Sequence, residues 1–332
     1  MGLTARVLAV DAGNSKTDVA VVAGDGTVLA TARGGGFRPQ AVGVGSAVDA
    51  VAEAVERAFA AAGVSAVDQV SACLANADFP VEEERLAAAL DARGWGGAVE
   101  VRNDTFALLR AGVPEPRGVA VVCGAGINCV GMRPDGRTAR FPAIGRISGD
   151  WGGGWGLAEE ALWYAARAED GRGEATELAR ALPAHFGHAT MLALIEALHL
   201  EHIAHARRYE LTPVLFATAA GGDPVARAIV DRLAREVVAM ATVALTRLDL
   251  LAEETPVLLG GGVLAARHPQ LDDGIRELLA AKAPKAVARV VVASPVLGAA
   301  LLGLDAIGAD REAQERLRGF FTTRPPTPPP GD

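Results

Sequence analysis

Cysteine is scarce: Cys73, Cys123 and Cys129 are the whole set. An odd, sparse set does not make a disulfide framework and fits a reducing compartment, so a cytoplasmic protein is expected. Aromatic residues are also few, at 5% of the chain, while half of all residues are hydrophobic. Alanine, valine, leucine and glycine dominate, which suits an α/β protein built from thin, closely packed layers. No basic run occurs, and the net charge of −8 is spread with mixed signs. That argues against nucleic-acid and anionic-membrane partners. No apolar stretch approaches the roughly 18 residues of a membrane span. The opening residues lack a charged segment followed by a long apolar one, so no signal peptide is expected, and Gly2 fails the myristoylation pattern. A length of 332 residues allows two domains with sizeable cores.

What is present begins with Arg6-Val-Leu-Ala-Val-Asp11-Ala-Gly13-Asn14-Ser15-Lys16-Thr17, followed by a second apolar run to Val22. The pattern predicts strand, tight turn, strand, with a further turn at Gly24-Asp25-Gly26 and a third strand. Asp11 ends a buried strand, where an unpaired carboxylate is costly. A hydrated divalent cation beside it would offset that cost. Gly13 lets backbone amides approach an anion, and Asn14, Ser15 and Thr17 supply donors around it. A phosphate-binding hairpin with a metal-holding Asp11 is one reading, and a plain hairpin with a turn aspartate is the other. Lys16 is either a phosphate contact or a solvated turn lysine.

Farther along, Val48, Val51, Val55 and Phe59 recur at helical spacing in a helix that ends at Gly63. A buried strand over 67–76, a helix from Glu82 to Leu90, a short strand at Val99–Arg102 and an apolar helix after Asn103-Asp104 follow. Pro114, Pro116 and Gly118 break the chain, and the pattern then restarts. Gly118–Cys123 reads as a strand, Gly124-Ala125-Gly126-Ile127-Asn128 as a turn, Cys129–Met132 as a strand, and Arg137–Phe141 as another. Two copies of a β-meander followed by helices amount to an internal duplication, and duplicated α/β halves commonly hold a ligand between them. Gly145–Gly156 is dense in glycine, and helices are expected at 157–168, 174–182, 189–209 and 225–248. Pro256–Leu259 is a strand ending in Gly260-Gly261-Gly262, 271–281 a helix, 288–293 a strand and 295–308 a closing apolar helix. The proline-rich stretch after Phe321 is expected to be disordered.

These motifs together resemble those of the sugar kinase, Hsp70 and actin superfamily, in the branch that holds N-acetylglucosamine kinases and the BadF/BadG/BcrA/BcrD ATPases. Asp11–Thr17 is similar to its first phosphate loop, Asn103-Asp104-Thr105 to its catalytic-acid segment and Cys123–Cys129 to its second phosphate loop. Ser148-Gly149-Asp150 is similar to its Gly-Asp-Glu-Gly-Ser segment, Leu259–Gly262 to its adenosine loop and Pro295–Leu302 to its closing helix. The resemblance runs from about Val7 to Gly308 with every motif in order. It implies two ribonuclease-H-like lobes of the actin-like ATPase fold with a central cleft, lobe closure on substrate, and ATP held with Mg2+. The lobes are expected at 1–113 plus 295–309 and at 117–294, the latter with a helical insertion, leaving a tail at 322–332.

Carried over by position, the resemblance implies that Asp104 is the general base on a sugar hydroxyl. Asp11 would hold Mg2+ through water. Gly13, Asn14, Ser15, Lys16, Thr17, Gly124, Ala125, Gly126, Gly260, Gly261 and Gly262 would meet ATP. Gly36, Asn103, Asn128, Gly149 and Asp150 would line the sugar site. The implied reaction is ATP-dependent phosphorylation of an amino-sugar hydroxyl, with N-acetylglucosamine first and glucosamine next, by a homodimer without nucleic-acid or membrane partners. Ala125, Ile127 and Trp151 stand where such kinases usually carry hydroxyl or acidic residues. Asn103-Asp104 also fits a plain helix cap, and Trp151 and Trp155 fit a substrate platform or simple packing. His199, His202 and His205 recur along the expected 189–209 helix and read as a solvated or dimer-facing stripe rather than a metal site. Alternative functions within the fold are an ATPase activator carrying an iron–sulfur cluster on exposed cysteines and a non-catalytic sugar or nucleotide sensor.

Overall fold

The structure, a computed structural model, describes residues 5–323. Its strands and helices begin with β1 (Arg6–Ala12), β2 (Thr17–Ala23), β3 (Val28–Gly34), α1 (Pro39–Val42), α2 (Val44–Ala62), β4 (Val67–Leu74), α3 (Pro80–Asp91), β5 (Gly96–Asn103) and α4 (Asp104–Gly112). The chain continues through β6 (Gly118–Cys123), β7 (Ile127–Met132), β8 (Thr138–Arg140), α5 (Gly153–Glu169), α6 (Leu178–His185), α7 (Met191–His199), α8 (Leu211–Ala220) and α9 (Pro224–Arg247). It closes with β9 (Thr255–Gly260), α10 (Gly262–Ala265), α11 (Pro269–Lys282), β10 (Ala286–Val290), α12 (Pro295–Ala306) and α13 (Arg311–Thr323).

One five-stranded sheet has the order β3-β2-β1-β4-β5 and the other β10-β9-β6-β7-β8. Read from β8, the second order repeats the first, so the duplication expected from the turns is present in the topology. The chain divides into two compact units. Among the described residues, one takes 5–120, Val130–Pro142 and 291–323; the other takes Val121–Cys129 and Ala143–Val290.

In the first unit β1 runs antiparallel to β2 and parallel to β4, which runs parallel to β5. The register pairs Ala12 with Leu74 and Leu74 with Asn103. Three strands therefore deliver their C-terminal ends, and the loops that follow them, to one edge of the sheet. That edge is where ligands bind in sheets of this kind. β1 and β2 are buried along nearly their whole length because helices cover the sheet. Val48, Val51, Val55 and Phe59 of α2 lie in the core with Leu8, Val10 and Val19. Each such side chain stabilises the fold by about 1.5–3 kcal/mol relative to exposure. Gly63, at φ 66°, ends α2 in the left-handed conformation that glycine adopts without strain.

α12 lies against α4 and β1. Its small residues allow a close approach: a Cβ at Gly298 would sit 1.7 Å from the Ala107 carbonyl oxygen of α4. Backbone must shift to admit it, and α4 is the helix that begins at Asp104. Gly298→Ala is therefore expected to cost about 2–3 kcal/mol in urea unfolding. A neutral result would show that α4 and α12 slide apart freely.

Several elements differ from expectation. The long helix over 189–209 is instead α7 and a separate 3-10 segment, His205–Glu210. Glu201 sits at φ 59°, and Ile203 folds back to donate its amide to the Ala197 carbonyl and bury its side chain. That is a helix stop made without glycine, and it takes His199, His202 and His205 off any common helix. α5 starts at Gly153, earlier than its glycines suggest, and α6 starts at Leu178, later than expected. β10 lies at 286–290 rather than 288–293. Helices α1, α8, α10 and α13 have no counterpart among the expected elements. α13 carries helix through Thr322 and Thr323, the first two residues of the expected tail; the remainder of that tail, 324–332, lies outside the described residues.

Candidate active site

In the first unit the candidate residues converge on the C-terminal edge of the sheet. Asp11 is the last acid of β1 and only 8% exposed. Burial, then the nearby charges of Asp104 and Asp18, push its carboxyl well above the usual range, partly offset by Lys16. Asp11 and Asp104 thus stand close enough to repel each other. Asp104 is the first residue of α4 and retains an opening to solvent while protein crowds its other sides. Burial raises its pKa to about 6, against the pull of the Thr105 amide and hydroxyl. The capping function expected of this pair falls to Asn103, whose side chain accepts the Thr105 amide at 3.0 Å. Asp104, at the helix start, has a pKa near neutrality, the condition a general base requires.

The hairpin between β1 and β2 closes through Gly13 N–H to the Lys16 carbonyl at 2.9 Å. Asn14, Ser15 and Lys16 are exposed at its tip. Thr17 is buried, and its hydroxyl donates to the Gly35 carbonyl at 2.8 Å, so it holds the next loop in place. Lys16 pairs with Asp18 at 3.0 Å, and Arg33 donates to the same carboxylate at 2.7 Å. Gly36 passes so close to the hairpin that a Cβ would meet the Asn14 carbonyl oxygen at 2.3 Å. Hairpin, glycine loop and α4 start form one cluster.

In the second unit three glycine segments meet. The Gly124–Gly126 turn closes by Gly124 N–H to the Gly126 carbonyl at 2.9 Å. Its Gly124 and Ala125 carbonyls accept the Gly154 and Trp155 amides at the start of α5. Gly153, at φ 72°, presses against this turn, and a Cβ there would lie 2.5 Å from the Ala125 carbonyl oxygen. A Cβ at Gly261 would lie 2.5 Å from the Cys123 carbonyl. Gly260 ends β9 and Gly262 starts α10, so Gly260-Gly261-Gly262 form a strand-to-helix turn packed on the Gly124–Gly126 turn.

A cavity of about 280 Å³ opens beside them, lined among others by Ala125, Gly126, Asp150, Trp151 and Trp155. Asp150 accepts the Gly145 amide at 2.9 Å and the Ser148 hydroxyl at 2.6 Å through one oxygen. Gly149 stands beside it at φ 85°. The Asn128 side chain accepts the Cys129 amide at 2.7 Å. Ile127 packs under Gly152, which accounts for an apolar residue in this turn. Trp151 is buried, its indole N–H donates to Glu160 at 3.3 Å, and the Arg232 guanidinium covers its ring, so it packs rather than forming an open platform. Trp155 lines the cavity and stacks on His205. Cys73, Cys123 and Cys129 are buried, with the Cys123 thiol pushed up to about 12 by burial.

Residues 8–303 match the model of the BadF/BadG/BcrA/BcrD ATPase family. The chain belongs to that family. A curated relative, the N-acetylmuramic acid/N-acetylglucosamine kinase of Clostridium acetobutylicum, is 25% identical over 84% of this chain and 92% of its own. The N-acetyl-D-glucosamine kinase of Dictyostelium discoideum is 26% identical over 62% of this chain and 65% of its own. Among solved structures, a Chromobacterium violaceum protein provisionally described as an N-acetylglucosamine kinase superposes with a TM-score of 0.64 at 26% identity, covering 90% of this chain and 99% of that one. The two five-stranded sheets are those of the actin-like ATPase fold of sugar kinases. Membership of this ATPase family implies ATP use.

For a family that uses ATP, the donor set near Asp11 bears on the accompanying cation. No cluster of three or more His, Cys, Asp or Glu side chains able to hold a metal occurs among the described residues. A buried carboxylate destabilised by a second carboxylate nonetheless suits a cation held mostly by water and phosphate, as Mg2+ usually is. No helix among the described residues is long and apolar enough to cross a membrane.

Sequence reasoning misses Asn76, after β4, whose side-chain amide donates to Asn14 of the hairpin at 3.0 Å. Its signal is a polar residue at a strand end, which alone is weak.

Proposed function

We propose that this chain is an ATP-dependent kinase that transfers the γ-phosphoryl group to a hydroxyl of an amino sugar, N-acetylglucosamine first. The observation that carries this reading is the pairing of a near-neutral Asp104 at a helix start with a buried Asp11 at the end of β1. Phosphoryl transfer needs charge neutralisation, positioning and an acceptor for the hydroxyl proton. Asp104 takes that proton. Asp11 holds the water shell of Mg2+, which when bound neutralises phosphate charge. The exposed side chains of Asn14 and Ser15 donate to phosphate oxygens, with Gly13 leaving room for their approach and Lys16 adding positive charge.

In the other unit, Ala125 and Gly126 offer backbone amides to the phosphates, while the Gly124 amide closes the turn that presents them. Gly260, Gly261 and Gly262 leave room for the nucleoside because they carry no side chains. Asn128 and Asp150 serve the sugar, with Gly36, Asn103 and Gly149 shaping its surroundings. The curated relatives act, by name, on N-acetylglucosamine, and one also on N-acetylmuramic acid. The test is ADP release with Mg2+ and a panel of N-acetylglucosamine, N-acetylmuramic acid, glucosamine and glucose. Stimulation by an amino sugar at least tenfold over the no-sugar rate is the expected result. Nucleotide binding with no sugar-stimulated turnover would replace this reading with a sensor.

A further inference from the structure

The five residues after β4, Ala75 to Phe79, touch every candidate segment of the first unit. Ala75 N–H donates to the Ala12 carbonyl at the end of β1. The Asn76 amide nitrogen donates to Asn14 Oδ1 at 3.0 Å and to the Phe37 carbonyl at 3.4 Å. The Phe37 carbonyl can only accept, so the amide's sense is fixed with Nδ2 towards hairpin and glycine loop. Gln40 Nε2 donates in turn to the Asn76 carbonyl at 3.3 Å. Two residues on, Asp78 Oδ1 accepts Asn103 Nδ2 at 2.9 Å, immediately before Asp104.

The loop itself is clamped from behind. The Glu82 carboxylate accepts the Asp78 and Phe79 amides, each at 3.0 Å. Arg140 donates to the Ala77 and Asp78 carbonyls at 3.2 and 3.1 Å and pairs with Glu83 at 2.7 Å. Asn76 sits in this clamped loop at φ 64°, a left-handed conformation that asparagine tolerates and most residues do not. An amide held there has one consequence: it fixes the Asn14 side chain relative to the Phe37 turn.

We propose that Asn76 is a positioning residue that joins the phosphate hairpin to the acceptor loop, aligning donor phosphate and sugar hydroxyl for transfer. The proposal rests on the kinase reading above. Alignment acts on the transition state rather than on either ground-state complex, so its loss lowers kcat and leaves both KM values in place. Asn76→Gly separates side chain from backbone, because glycine adopts this φ without strain. The expected result is a kcat lowered at least tenfold, with KM for ATP and for sugar each within about twofold of wild type. Asn14→Ala, which also removes a phosphate donor, is expected to lose at least as much, and the double variant no more than Asn14→Ala alone, because Asn76 acts through Asn14.

Full activity in Asn76→Gly would show that only the backbone conformation matters and would overturn the proposal. So would a raised KM with unchanged kcat, or losses in the two single variants that multiply in the double. These outcomes are distinct from failure of the kinase reading, in which the wild-type protein itself shows no sugar-stimulated turnover.

Discussion

Asp104→Asn is expected to lower kcat by about a thousandfold while leaving ATP affinity within about twofold, since general-base catalysis is worth roughly 10²–10⁴. Asparagine keeps the shape of the side chain at the start of α4 but cannot take a proton. In the wild-type enzyme the same group is expected to set the acid limb of the pH profile. Its pKa of about 6 means that kcat/KM for the sugar falls below that pH as the base becomes protonated.

The variant also carries a stability signature of opposite sign. A carboxyl whose folded pKa is raised from 3.8 to about 6 contributes stability that is complete at low pH and lost as pH rises through about 6. At pH 8 that missing contribution is at most about 3 kcal/mol, less what the opening to solvent recovers. Asp104→Asn is thus expected to melt higher than wild type at pH 8, with the difference shrinking towards pH 5. Paired kinetic and thermal measurements check both halves. Retained activity would remove Asp104 from the base role, and a pH-independent melting difference would remove the buried-charge argument.

The second large effect lies at the far end of the same helix. Arg110 is fully buried in α4, and its guanidinium forks onto Asp305 of α12 at 2.7 and 3.0 Å. Gln314 of α13 accepts from it at 2.8 Å and the Val113 carbonyl at 3.0 Å. Arg318 of α13 donates to the Ala111 carbonyl at 2.7 Å. Asp305→Ala leaves a buried cation without its counter-charge and is expected to cost about 3–5 kcal/mol in chemical denaturation. Replacing both partners by apolar residues, Arg110→Met with Asp305→Leu, is expected to recover most of that loss. A cost below about 1 kcal/mol for Asp305→Ala would mean that the carbonyls and Gln314 satisfy Arg110 unaided.

These two ends of α4 show what is legible in the sequence. Asn103-Asp104 after a strand, and glycine turns repeated in both halves, are local patterns with chemical reasons, and they can be read as such. Arg110 cannot: it sits inside an apolar helix pattern, and its partners are 195 and 204 residues away. α13 lies past the family match, which ends at 303, and it buries Ala313 and Leu317, too small a set to give a clear helical stripe. Asn76 reads as the end of a strand because a left-handed backbone leaves no mark when the residue is not glycine. The break after His199 is hidden in the same way, by Glu201 taking a positive φ between segments that each look helical. The α5 start is obscured because Gly153 and Gly154 are there for close approach to the Ala125 turn and to Tyr209, against the usual helical preference.

The most direct test of the central claim is the product itself. Incubation of the protein with ATP, Mg2+ and N-acetylglucosamine, followed by 31P NMR, is predicted to show a sugar phosphate ester appearing in step with ADP. ADP accompanied only by inorganic phosphate, whatever amino sugar is present, would contradict it.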